Sequence, residues 1–428
     1  MAGPDLSIYF RPVGESCFSA EQFPESSLGR EMVVFREDFP IWKETQIAII
    51  GVCEDRLSKS NKGSAKGPDE VRKFLYRLFP PEGDLKICDL GNILPGDKVE
   101  DTYYAVKSVV SQLVRNNVLP IIIGGSQDLT YANFSAYEKL EQTINLLSID
   151  RIFDLGQLQN EFDSEAYLNR IILHEPNFLF NYSNIGFQTY FLSQTELELM
   201  EKLYFDTYRL GVFRNNTEAS EPIIRNADVV SFDLSAIRQS DAPGSENAGP
   251  NGFYGEEACQ MCRYAGMSDK LTSIGFYEFN PTCDRGGQTA HLLAQMIWCV
   301  VEGFINRKND FPFRNEKKYM RYQVVISDFE HEMTFFKSKV SDRWWMSVPF
   351  PAGKRARFER HHLVPCAYSD YQLACAEEVP DLWWKTFQKI SWFRINTKVE
   401  VMGTLLKNFC VFDNFFILAL VSKEKLTI

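Results

Sequence analysis

Four segments of this 428-residue chain end in side chains that can ligate a cation or move a proton. They are Gly124-Gly125-Ser126-Gln127-Asp128, Ser148-Ile149-Asp150-Arg151-Ile152-Phe153-Asp154, Ser231-Phe232-Asp233-Leu234-Ser235 and Gly275-Phe276-Tyr277-Glu278-Phe279-Asn280-Pro281. Carboxylate and amide oxygens of this kind suit hard divalent ions. A carboxylate such as Glu278 can also hold a cationic amidine or guanidine through two parallel hydrogen bonds. Singly, each has a plainer meaning: the glycine pair is a tight turn and each aspartate a cap or turn residue. Their joint order and spacing point instead to one crevice, if the elements that carry them converge.

Those elements are legible as short apolar runs at 47–52, 119–123, 145–149, 208–213, 229–232 and 273–279, alternating with stretches of helical periodicity. The alternation predicts a mainly parallel sheet with crossover helices, an α/β fold of three layers. In such sheets ligands bind beyond the carboxyl ends of the strands, where all four segments fall. Val71, Phe74, Leu75 and Leu78 share a helical face behind Pro68, and Val106, Val109, Val110 and Leu113 repeat the pattern. Ser193-x-x-Glu196 reads as a capping box, and 288–306 as a long amphipathic helix that closes the domain.

After about residue 310 the texture becomes aromatic and charged, with Trp344-Trp345, His361-His362 and Trp383-Trp384. The expected division is therefore a segment 1–35, an α/β domain 36–310, a C-terminal extension 311–390 packed on it, and a tail 391–428. The tail's apolar run is interrupted by Asp413 and Asn414 and is too short for a membrane span.

A formal net charge of -11 argues against nucleic acid as a partner. The opening residues carry no export signal, so the expectation is a cytoplasmic protein without a membrane partner, its ten cysteines reduced. Cys259-x-x-Cys262 lacks a second pair for zinc, and His331-Glu332 is followed by Phe335 where a zinc-protease helix needs histidine. The doubled histidines and tryptophans read as packing or interface residues. Residues 62–67 lack the phosphate-loop pattern and read as a mobile entrance loop.

In chain order the four segments resemble the arginase, agmatinase and formimidoylglutamase family, with its Gly-Gly-x-His strand end, Asp-x-His run, Ser-x-Asp-x-Asp segment and Glu-x-Asn-Pro strand end. Ala242-Pro243-Gly244 and Gly67-Pro68 with Arg72 add to the likeness, which covers roughly residues 36–310 and leans toward formimidoylglutamase. The resemblance implies two bridged manganese ions that activate a hydroxide against an amidine carbon. It also implies Glu278 as the group that binds a small cationic amidine or guanidino ligand, and self-association into a homo-oligomer.

Gln127 stands where the resemblance places one ligand histidine, Ile152 where it places another, and Ser235 where it places the second aspartate of its segment. Asp150, Asp154 and Asp233 remain. The expectation is a degraded dimetal centre of Asp150, Asp154, Asp233 and Gln127, holding no metal or a single divalent ion, manganese if any. Arg238 is the expected charge compensation, with Arg151 second because adjacent strand residues face opposite ways. The protein is accordingly expected to be non-catalytic or weakly catalytic. The alternatives are an active metal-dependent hydrolase of non-peptide C-N bonds in linear amidines, and a scaffold that offers its tryptophan-rich extension to a partner.

Overall fold

Ile47–Val52, with the sequence IAIIGV, is buried at every position, the signature of a strand covered on both faces. It is β3 of a ten-stranded sheet ordered β1-β4-β3-β5-β10-β9-β6-β7-β8, with β2 beside β4. The remaining strands are β1 (Phe10–Arg11), β2 (Val33–Val34), β4 (Ile87–Ile93), β5 (Leu119–Ile123), β6 (Ile144–Ile149), β7 (Leu179–Phe187), β8 (Asp206–Arg209), β9 (Val229–Asp233) and β10 (Ser273–Tyr277). All pairings are parallel except β1 with β4. The computed structural model describes residues 5–18, 23–140, 143–156, 162–214, 216–312, 316–326, 332–350 and 360–395. His331 and nearly all of the tail, from 396 on, lie outside them.

One face of the sheet is covered by helices Gly67–Leu75, Gly255–Gly266 and Gln288–Ile305, and the other by Val99–Arg115, Leu129–Ser135 and Tyr167–Ile172. Helix starts follow local chemistry. Pro68 occupies the first turn of its helix, and the reciprocal bonds Ser193 N to Glu196 Oε2 (2.8 Å) and Glu196 N to Ser193 Oγ (3.2 Å) open Gln194–Lys202. The run at 208–213 divides: β8 ends at Arg209 and Leu210–Phe213 forms one helical turn. No helix among the described residues is long and apolar enough to cross a membrane.

Strands β4 and β7 escape a search for apolar runs because each buries polar residues that find partners. In β4, Asp89 accepts Nε and Nη2 of the fully buried Arg72 at 2.8 Å each, and Asn92 Oδ1 accepts its Nη1 at 2.5 Å. In β7, Asn181 donates to Asp206 at 2.8 Å.

Beyond 310 a separate antiparallel sheet runs β11 (Tyr319–Val324), β12 (Met333–Ser338), β13 (Trp344–Ser347), β14 (Leu363–Cys366), followed by helices Tyr368–Cys375 and Asp381–Ile395. It docks on the amino ends of the main strands. His361 stacks on Phe180 at 4.0 Å, Arg360 pairs with Asp228, and Lys389 Nζ reaches Asn181 Oδ1 at 2.5 Å and Asp206 Oδ2 at 3.3 Å. Trp344, Trp345 and Trp383 are buried within it, and Trp384 is exposed.

Candidate metal crevice

Strand order decides which side chains meet. β5 and β6 are consecutive in the chain, but β10 and β9 lie between them, so the carboxyl ends of four neighbouring strands border one crevice. Ile149 is aligned with Phe232, and Tyr277 with Asp233. Asp150, Asp233 and Glu278 therefore leave adjacent strands at nearly one level. Beyond β5 the chain passes so close to Glu54 that a Cβ on Gly125 would lie 1.8 Å from the Glu54 carbonyl oxygen. The glycine pair thus permits a close approach, and the turn that follows delivers Gln127.

Carboxylate oxygens of Asp150, Asp154 and Asp233 lie within 4.8 Å of one another, all buried. Asp154 turns back toward the strand through a left-handed backbone, φ 51°, which aspartate tolerates better than most residues. Asp150 Oδ1 accepts the N-H of Ile152 at 3.1 Å, and Asp233 Oδ1 that of Ser235 at 2.6 Å. As carboxylates, Asp150 Oδ2 and Asp154 Oδ2 find no donor among the described residues, nor does Gln127 Oε1; the Arg151 Nε-H beside them is likewise unpartnered, and a proton on one aspartate would be shared with the other. Gln127 Nε2 is committed to Ser231 Oγ at 2.9 Å. The cavity that Gln127, Arg151, Asp154, Asp233 and Glu278 help to line is about 10 Å³, roughly room for one water molecule.

Burial pushes Asp150 well above the usual carboxylate range, with the charge of Asp233 adding to it. Asp154 is raised in the same way by burial and by Asp150. Asp233 rises less freely, since burial is opposed by hydrogen bonds from Ser235 and by the charge of Arg151. Glu278 is raised by burial and by Asp233, against the hydrogen bonds it accepts.

Glu278 is already engaged. Oε1 accepts the Gln127 N-H at 2.8 Å and Oε2 accepts Asn61 Nδ2 at 2.8 Å, with φ 67° at Glu278 itself. Asn61 is a residue that sequence reasoning missed, since an asparagine in a polar loop carries no motif. The same loop corrects the expectation of a mobile entrance. Asp55 Oδ2 accepts Gly63 N at 2.7 Å, Asn280 Nδ2 donates to Lys62 O at 2.9 Å, and Ser60 Oγ donates to Asn247 Oδ1 at 2.8 Å. Residues 55–66 are fastened across the crevice.

The expectation for Arg238 is also corrected. Its Nε pairs with Asp241 Oδ1 at 2.8 Å and its guanidinium lies 3.8 Å from the Tyr254 ring centroid. It borders an outer groove of about 1010 Å³ between the helices Gly255–Gly266 and Gln288–Ile305, apart from the acidic cluster. The segment carrying it leaves β9 and pairs with Gly249, which turns the side chain toward Tyr254. Arg151 is the cation at the crevice: it lines the cavity, sits 5.0 Å from the Phe191 ring and favours the charged forms of Asp150 and Asp233. Position 151 follows the end of β6, so strand alternation no longer governs where it points.

Residues 45–302 match the model of the Arginase family. The chain belongs to that family. Formimidoylglutamase of Macrococcus caseolyticus (strain JCSC5402) is 27% identical over 266 residues, 60% of this chain and 84% of the relative. That of Staphylococcus aureus (strain MRSA252) is 23% identical over 269 residues, 59% and 84% of the two chains. The solved structure of Trypanosoma cruzi formiminoglutamase with manganese superposes with a TM-score of 0.58 at 22% identity, covering 63% of this chain and all of that one. Bacillus subtilis formimidoylglutamase gives 0.60 at 17% identity, covering 68% and 96%. At these identities the structures share the fold.

The arginase-family ion pair does not fit the donors present. Among the described residues no histidine lines the crevice, Ile152 contributes only carbon, and the Ser235 hydroxyl is turned to Asp233. At the positions the family resemblance assigns to it, a second ion would keep only the shared carboxylates Asp150 and Asp233; Glu165 and Glu278 also line the cavity but are held by Lys59, Asn61 and Gln127. One ion does fit, because three carboxylates and the amide oxygen of Gln127 form an oxygen-only set with unsatisfied acceptors.

Proposed function

We propose that this arginase-family chain is a formimidoylglutamase-like protein that hydrolyses linear amidines weakly or not at all. A bound manganese pair would supply a hydroxide at neutral pH. The chain's own residues support little beyond that. The observation that carries the reading is the state of Glu278, whose two oxygens are held by Asn61 and Gln127, facing a cavity of about 10 Å³. A cationic amidine would have to displace Asn61 before it paired with Glu278 through both oxygens. Among the described residues no imidazole lines the crevice to relay a proton.

The retained Asp150, Asp154 and Asp233 favour a second reading, a single-ion hydrolase of non-peptide C-N bonds in formimidoylglutamate or guanidino compounds. The scaffold reading loses its chief support, because three of the four extension tryptophans are internal. The test is release of formamide, urea or ammonia by the full chain with added manganese, using formimidoylglutamate, agmatine and guanidino acids. We expect rates equal to those of Asp233→Ala. Turnover that disappears in Asp233→Ala would establish the second reading instead.

A further inference from the structure

The helices Gly255–Gly266 and Gln288–Ile305 run side by side and touch backbone to backbone near their carboxyl ends. A Cβ on Gly266 would lie 2.2 Å from Val300 O, and one on Gly303 2.3 Å from Arg263 O. Arg263 Nε pairs with Glu302 Oε2 at 2.7 Å beside that contact. At the amino ends the helices stand farther apart, since a Cβ on Gly255 would meet side chains rather than backbone, Leu292 first at 3.1 Å. Three cysteines lie between those two levels: Cys299 one turn before Gly303, Cys262 one turn before Gly266, and Cys259 a further turn back. Cys259 and Cys299 line the outer groove and are partly exposed, whereas Cys262 is buried. The Cys299 thiol donates a hydrogen bond to the Cys259 sulfur, and that bond together with burial raises it above the ordinary thiol range. Among the described residues the acidic crevice is the only cluster of three or more metal-ligating side chains, so these thiols do not form a metal cage.

We propose that Cys259 and Cys299 are a dithiol modification site, closed to a disulfide by small-molecule disulfides of the glutathione class and reopened by thiols. As the helices diverge from backbone contact, their separation passes through the roughly 4.4–6.8 Å between Cα atoms that a disulfide spans. The groove, about 1010 Å³, gives a small disulfide access to both sulfurs. A thiolate at one position attacks the S–S bond of that molecule, forming a mixed disulfide and releasing one small thiol. The second thiolate then attacks the protein sulfur of the mixed disulfide, the Cys259–Cys299 bond forms, and the second small thiol leaves. Two protein thiols are oxidised, one small disulfide is reduced to two thiols, and the two protein protons end on those thiols. The closed form staples the helices where they begin to part and stiffens the groove wall. Its chemistry involves none of the crevice acids, so the site stands apart from the question of hydrolysis.

The test takes the reduced full chain, as the parent and as Cys262→Ser, through incubation with oxidised glutathione, alkylation of the remaining thiols and peptide mass mapping without reduction. We expect a Cys259–Cys299 cross-link that survives in Cys262→Ser and is reversed by dithiothreitol. The oxidised parent should unfold about 5 °C above its reduced form. Cys299→Ser should instead carry glutathione on Cys259 and show no such rise, while Cys283→Ser, whose thiol lies outside the groove, should cross-link as the parent does. Stable glutathione adducts on both Cys259 and Cys299 without a cross-link, a bridge that vanishes in Cys262→Ser, or no reaction of either thiol would overturn the proposal.

Discussion

Buried carboxylates occupy both ends of the same sheet, and they are treated oppositely. At the amino end, Asp206 lies 3.3 Å from Lys389 and 3.7 Å from Lys385, and Asp228 faces Arg360 and Lys270. Three of those four cations come from the C-terminal extension. At the carboxyl end, Asp150, Asp154, Asp233 and Glu278 face backbone N-H groups, Asn61 and one another. Like residues thus make a latch where the fold pairs each acid with cations at ion-pair distance, and an acid-rich crevice where Arg151 lies beside four carboxyl groups without forming an ion pair among the described residues. The extension therefore acts as counter-charge for the main domain and leaves the crevice untouched.

The comparison breaks most severely at the latch. Lys389→Met would leave buried Asp206 with the Asn181 amide and, as its remaining cation among the described residues, the more distant Lys385. Loss of one partner of a buried pair costs about 3–5 kcal/mol, so urea unfolding should show a loss in that range. An unchanged midpoint would mean that the amino end is no better paired than the crevice.

At the other end the sign should reverse. In chelator-treated protein, Asp154→Asn keeps position 154 neutral whatever the pH and gives Asp150 Oδ2 a permanent donor, and asparagine tolerates the left-handed backbone at 154. We expect a gain of about 1 kcal/mol in urea at neutral pH, the net value of one ordinary hydrogen bond. Added manganese should abolish the advantage, because only the parent chain keeps the ligand.

The most gradual effect concerns pH. Burial lowers Lys270 to about 8 from 10.5, with Asp228 opposing and Arg360 reinforcing the shift. Between those values the unfolded chain holds a proton that the folded chain has released, so stability rises with pH across the window. Relative to Lys270→Met, the parent should gain at most about 1.4 kcal/mol per pH unit from pH 8 to 10.5 and nothing below about pH 7. A flat difference would show that Lys270 keeps its charge, and so a stronger latch than the burial argument allows.

Much of this was legible in the chain itself. Strands at 47–52 and 119–123 coincide with their apolar runs because both of their faces are covered. Ser193 and Glu196 announced a helix start through contacts three residues apart. β4 and β7 were hidden because Asp89 and Asn181 meet partners that lie 17 and 25 residues away in the chain, Arg72 and Asp206. Arg238 was misplaced for a related reason: proximity to Ser235 in sequence says nothing about direction once the strand has ended. Asn61 carried no signal at all.

The sequence by itself determined the sheet, the family and the identity of the acidic strand ends, because these depend on side-chain type and short-range period. Only the tertiary structure decided that Arg151 and not Arg238 reaches the acids, that Asn61 occupies Glu278, and that the extension's cations serve the opposite end. Hydrogen bonds and charge pairing act over a few ångströms in space, whatever the separation along the chain.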